Sequence, residues 1–162
     1  MPDIDYGSVW EDMAMKTGSL ISPKLFRDFM MQPLNRVTKA LNERGIEITM
    51  VDSDGNVDEL IPLWLEANVN LIYPLEVAAD CDALEYRSRF GKEALLMGDV
   101  DKRVLRDGCS KAQIEREVVS KVPELVEAGG FSPMVDHAVP PDVPFENFRY
   151  YVDLIQDICT SR

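Results

Sequence analysis

Two rhythms of apolar residues alternate along this chain. Short apolar runs end abruptly in acidic residues, and longer stretches between them repeat Leu, Ile, Val and aromatic residues every three or four positions. Tyr6–Trp10 is the first short run and meets Glu11-Asp12. Residues 46–51 form the second, ending in Asp52 and Asp54, with Gly55 letting the backbone leave the sheet. Residues 69–73 lead to Pro74-Leu75-Glu76, residues 94–97 to Gly98-Asp99-Val100-Asp101, and Phe131–Val135 to Asp136-His137. Each run predicts a buried strand with carboxylates at its C-terminal end.

The stretches between them read as helices. Ser22-Pro23 is a helix start, with Leu25, Phe26 and Phe29 on one face and Pro33 restarting the helix ahead of Leu34, Val37 and Leu41. Leu60, Ile61, Trp64 and Leu65 mark a second helix and residues 83–90 a third, closed by Gly91. Ser110 and Gln113 form a capping box before Ile114, Val118, Val122 and Leu125, a helix bent by Pro123 and stopped at Gly129-Gly130. Phe148, Tyr151, Val152, Ile155 and Cys159 stripe the last helix. Trp10, Trp64 and Tyr73 are expected in the core. Five strand-then-helix units in series require a parallel sheet, because each crossover returns the chain to the same end. An open doubly wound sheet and part of a (β/α)8 barrel both satisfy this. A full barrel takes about 250 residues, so residues 1–162 are expected to form a single α/β domain too short to close one.

Charge narrows the partners. The chain has 162 residues and a formal charge of −12, which argues against nucleic acid and anionic membranes and favours a cation, a metal-bound substrate or a basic partner. Cys81, Cys109 and Cys159 are widely spaced and odd in number, so reduced thiols are expected. The N-terminal stretch lacks the basic and apolar regions of a signal peptide, which makes a cytoplasmic location the expectation.

Asp52-Ser53-Asp54-Gly55-Asn56 on an apolar strand resembles the first motif of haloacid-dehalogenase-type phosphatases, which implies Asp52 as nucleophile, Asp54 as acid and Mg²⁺ as cofactor. That family places its second metal-binding aspartate where this chain has Arg103. A broader resemblance is carried by Gly18-Ser19-Leu20-Ile21-Ser22-Pro23 with Leu25-Phe26 and Pro33. It continues in Asp54-Gly55-Asn56, in Gly98-Asp99-Val100-Asp101 with Leu105, and in Gly129-Gly130-Phe131 before Asp136-His137. It is most specific in the stretch from His137 to Asn147. These features resemble the C-terminal part of the uroporphyrinogen decarboxylase and cobalamin-dependent methyltransferase superfamily.

The resemblance implies the last five or so βα units of a distorted (β/α)8 TIM barrel. It also implies methyl transfer to or from a corrinoid or tetrahydrofolate carrier, with a corrinoid protein as a possible partner, or decarboxylation of a tetrapyrrole. Asp52 and Asp54 stand where zinc-dependent members carry H-x-C, and His137 stands near their late Cys. Asp52, Asp54 and His137 are therefore candidate ligands for Zn, Mn or Fe, and Glu76 and His137 candidate catalytic groups. Glu11, Asp12, Asp99, Asp101 and Asp136 are candidate substrate-binding residues. Turn formation and helix capping are the competing use of all these aspartates. A non-catalytic or split-barrel subunit is a further expectation, as a homodimer covering its own open sheet edges or joined to an N-terminal half.

Overall fold

The computed structural model describes residues 4–161. Its core is a five-stranded, wholly parallel sheet of β1 (Tyr6–Trp10), β4 (Ile48–Asp52), β5 (Leu71–Leu75), β6 (Leu95–Val100) and β7 (Phe131–Val135), in chain order across the sheet. A hairpin of β2 (Ala14–Met15) and β3 (Gly18–Ser19) follows β1. The helices are α1 (Pro23–Leu25), α2 (Met31–Asn42), α3 (Ile61–Glu66), α4 (Ala83–Phe90), α5 (Lys111–Val119), α6 (Val122–Ala128) and α7 (Phe145–Thr160).

The predicted stops and starts have local causes. The Ser22 side chain accepts the Leu25 N–H at 3.2 Å, with Pro23 in the first turn. A π-helical turn, Phe26–Met30, then joins α1 to α2, and Pro33, which has no N–H to give, falls within the first turn of α2. The predicted capping box of Ser110 and Gln113 is present. The chain breaks at Ser120-Lys121, so Pro123 lies in the first turn of α6 and not at a bend within one helix. Two strand boundaries differ from the sequence expectation. β5 begins at Leu71 and runs on through Pro74 to Leu75, and its register with β6 shifts between Ile72 and Leu75, where proline cannot donate. β6 runs to Val100, which puts Asp99 inside the strand. The β2–β3 hairpin has no counterpart in the sequence reading.

The alternation within each strand separates two faces. Val51, Ile72 and Leu96 are fully buried and pack with Phe26, Leu34, Leu60, Ile61, Trp64 and Tyr86 beneath the helices. Val100 and Val135 join Leu105, Ile114, Val118, Val122 and Tyr151 in a second cluster under α5–α7. On the other face Met50, Asp52, Leu71, Tyr73, Leu95 and Met97 are only half-buried, while Tyr6 and Trp10 are exposed. Trp64 is core as expected, and Trp10 is not. Among the described residues no helix is long and apolar enough to cross a membrane.

The Asp54-Gly55 turn is built under the hairpin. Gly55 has φ +86°, and a Cβ there would lie 2.8 Å from the Ala14 carbonyl, so both backbone conformation and space require glycine. Gly55→Ala should lower stability by about 2 kcal/mol or more, read as a lower urea midpoint; a variant as stable as the parent would contradict this packing.

Candidate functional site

The C-terminal ends of the five parallel strands lie side by side. The ladder continues past the strands themselves: Glu11 N–H donates to Asp52 O, Ser53 N–H to Tyr73 O and Asp136 N–H to Val100 O, all within 2.8–2.9 Å. Each strand therefore delivers its acidic terminus to a common edge.

Asp136 and Lys102 tie that edge together. Asp136 is completely buried. Its Oδ1 accepts from Lys102 N–H at 3.1 Å and lies 3.2 Å from Lys102 Nζ, and its Oδ2 accepts from Val77 N–H at 3.2 Å. The same ammonium reaches Glu76 Oε1 at 3.5 Å, and Glu76 Oε2 accepts Gly55 N–H at 2.9 Å. A buried carboxylate survives only when paired and hydrogen-bonded, and here the pairing joins the ends of β4, β5, β6 and β7. Asp136 is thus a brace, and Glu76 has both oxygens engaged beside the open face.

Asp54 and His137 form the exposed part of the site. Their Oδ1 and Nε2 atoms are 3.2 Å apart, Asp54 N–H donates to Asp12 Oδ1 at 3.1 Å, and Asp12 Oδ2 accepts the Trp10 indole N–H at 3.0 Å. Burial, then the nearby Asp12, pushes the Asp52 carboxyl above its usual range, with His137 opposing. Asp54 is raised by burial, with His137 opposing and Glu76, Asp12 and Asp52 adding to the rise. Burial also raises Glu11 and, with Asp52 and Asp54 nearby, Tyr73. The crowded negative charge favours a cation or a proton.

The donor set does not match a metal centre as it stands. Ala138 N–H donates to His137 Nδ1 at 2.5 Å, so the neutral imidazole carries its proton on Nε2, facing Asp54. Ligation through Nε2 would require that proton on Nδ1, where Ala138 N–H already points. Among the described residues no group of three or more His, Cys, Asp or Glu side chains is placed to hold an ion. The three cysteines are free.

Asp99 and Asp101 belong to a different set of contacts. Asp99 is 1 % exposed and adopts φ 64°. Its Oδ2 lies 3.6 Å from Lys121 Nζ and has no hydrogen-bond partner. Lys121 donates instead to Asp99 O at 2.6 Å and pairs with Glu117 at 2.8 Å. Asp101 caps the turn Lys102–Leu105, accepting from Arg103 N–H and Nε. The Arg103 contacts hold the Asp101 carboxyl below its usual range although burial opposes them. The strand ends therefore bring together Glu11, Asp12, Asp52, Asp54, Glu76, Asp136 and His137, and leave Asp99 turned towards Lys121. Sequence reasoning missed three participants. Lys102 lies in no motif that marks it, and Trp10 and Tyr73 read as core. The period of two was the available signal, since it places Trp10, Asp52 and Tyr73 on the face opposite Val9, Val51 and Ile72.

The family model for uroporphyrinogen decarboxylase (URO-D) matches residues 7–158. The chain is 25 % identical over 141 residues to a uroporphyrinogen decarboxylase of Legionella pneumophila (strain Corby), a match covering 87 % of this chain and 39 % of that protein. It is 25 % identical over 153 residues to a uroporphyrinogen decarboxylase of Actinobacillus succinogenes, covering 86 % and 39 %. A methyltransferase from Methanosarcina mazei superposes with a TM-score of 0.66 at 20 % identity, over 94 % of this chain and 42 % of that one. The fold is therefore a parallel α/β fragment of a barrel of this kind, and the chain spans about two fifths of the length of the curated relatives it matches.

Burial pushes the Asp99 carboxyl up to about 7, with Lys121 opposing. A carboxyl raised on folding makes the native state hold more protons than the unfolded chain between the two values. Stability then falls as pH rises from about 4 to about 7 and is level above that. Asp99→Asn, which tolerates the left-handed backbone, should flatten this slope in thermal melts between pH 5 and 8; an unchanged slope would contradict the assignment.

Proposed function

The chain belongs to the uroporphyrinogen decarboxylase family, and on that premise we propose that it carries the strand-end site of a methyltransferase-type member. The methyl group passes to or from a corrinoid or tetrahydrofolate carrier, the corrinoid being free or held by a partner protein. The carrying observation is electrostatic. Asp12, Asp52, Asp54, Glu76 and Asp136 share one edge with a single lysine, which is already spent on Glu76 and Asp136. Such a surface repels a tetrapyrrole with many carboxylates and suits a neutral or cationic methyl donor.

In this reading Asp54 is the proton acceptor. Its raised proton affinity lets it take the proton that an acceptor thiol loses as the S–CH3 bond forms and the donor–CH3 bond breaks, that bond's electron pair staying with the donor, and His137 Nε2–H steadies the carboxylate until then. Glu76 positions the Asp54-Gly55 turn through Gly55 N–H. No step is assigned to a metal. Activity and partners of the whole protein are part of the proposal, because the chain spans only part of its relatives.

The test uses the whole natural polypeptide that carries this sequence. With methylcobalamin and a small thiol, the corrinoid spectrum should report loss of the methyl group, at least tenfold slower in Asp54→Asn, while uroporphyrinogen is not decarboxylated. Elemental analysis of the same preparation should find no stoichiometric Zn, Mn or Fe. Decarboxylation without demethylation would overturn the proposal, and stoichiometric metal lost in both Asp52→Ala and His137→Ala would replace the acid–base mechanism with a metal-dependent one.

A further inference from the structure

Two aromatic residues flank a carboxylate in one in-register row at the strand ends. Trp10 pairs with Asp52 across β1 and β4, and Asp52 pairs with Tyr73 across β4 and β5. Parallel neighbours in register face the same side of a sheet, so the three side chains stand together on the half-covered face. Asp54 and Asp12 lie beside them, as the hydrogen bond from Asp54 N–H to Asp12 Oδ1 shows.

Trp10 is the unusual member. At 78 % exposed it is far more open than a tryptophan that contributes to a core, whereas Trp64 is fully buried. Its indole N–H is held by Asp12 at 3.0 Å, which anchors the polar edge of the ring and leaves its apolar surface in solvent. Tyr73 is half-buried two strands away. Aromatic faces attract cations, and the attraction is strongest for those whose charge is spread over methyl groups and weakly hydrated. A carboxylate between two rings adds the charge that selects against neutral molecules of the same shape. A small metal ion would leave the aromatic walls without a use, and an anion would meet three aspartates.

We infer that Trp10, Asp52 and Tyr73 form a recognition site for an N-methylated ammonium group, with Asp12 and Asp54 supplying further negative charge. The inference deepens the methyltransferase reading and rests on it for the role of the bound cation as a substrate. A bound cation offsets the neighbouring carboxylates that add to the burial-driven rise of Asp52 and Asp54.

Because Trp64 is buried, a ligand-induced change in tryptophan emission that is absent in Trp10→Leu reports on Trp10. Tetramethylammonium chloride titrated at constant ionic strength should give a saturable emission change, which sodium chloride and neutral tert-butanol should not reproduce. Calorimetry should show affinity weakened at least tenfold in Asp52→Asn and in Trp10→Leu. Far-UV circular dichroism and the remaining Trp64 emission verify folding in Trp10→Leu. An equal response to tert-butanol, an unchanged affinity in Asp52→Asn, or no saturable response would overturn the inference. So would a Trp10 already shielded from iodide in a protein eluting as a dimer, since a second copy would then cover the face. Saturable binding without methylcobalamin turnover supports the ammonium site and counts against methyl transfer. Turnover without binding does the reverse.

Discussion

The arrangement of the strand ends depends on one buried carboxylate. Asp136 has no solvent of its own, and its charge is tolerable only because two backbone N–H groups and the Lys102 ammonium point at it. Those donors come from the segments after β5 and β6, while Asp136 itself ends β7. Through Lys102 and Glu76 the same network reaches the Asp54-Gly55 turn after β4. Four strand ends are thereby linked by one network of charge and hydrogen bonds.

This brace has a consequence for charge. It engages Lys102, so Asp12, Asp52 and Asp54 face the open side of the sheet, with His137 the charge that opposes the rise of Asp52 and Asp54 among the described residues. Burial raises the Asp52 and Asp54 carboxyls, and the neighbouring carboxylates add to the rise while His137 opposes it. In (β/α)8 barrels chemistry forms at this end of the strands, and here that end is negative, aromatic and half-covered. The acidic residues are sorted by depth: Asp136 and Asp99 are buried, Asp54 and Asp12 reach solvent.

Much of this was legible in the sequence. The five strand-and-helix units follow from apolar period, and the termini follow from Ser22-Pro23, the Ser110 and Gln113 capping box and the Gly129-Gly130 stop. The acidic strand ends were visible as a repeated pattern. The work done by most of the acidic residues was not, because contacts between residues distant in the chain decide it. Glu76 and Lys102 meet only through the sheet, as do Asp136 and Val77. Trp10 misled because a tryptophan in an apolar run ordinarily packs inward, whereas strand alternation turns it to the half-covered face. Asp99 was placed at a strand end because the apolar run stops at Met97; β6 instead runs on to Val100.

The most direct test of the brace is the unfolding free energy of Lys102→Met beside the double variant Lys102→Met/Asp136→Asn. Removing the ammonium alone leaves a buried carboxylate short of its counter-charge and should cost about 3 kcal/mol, and neutralising Asp136 as well should recover part of that loss. A Lys102→Met protein within about 0.5 kcal/mol of the parent would contradict the account, because the strand ends would then be held by something other than this charge.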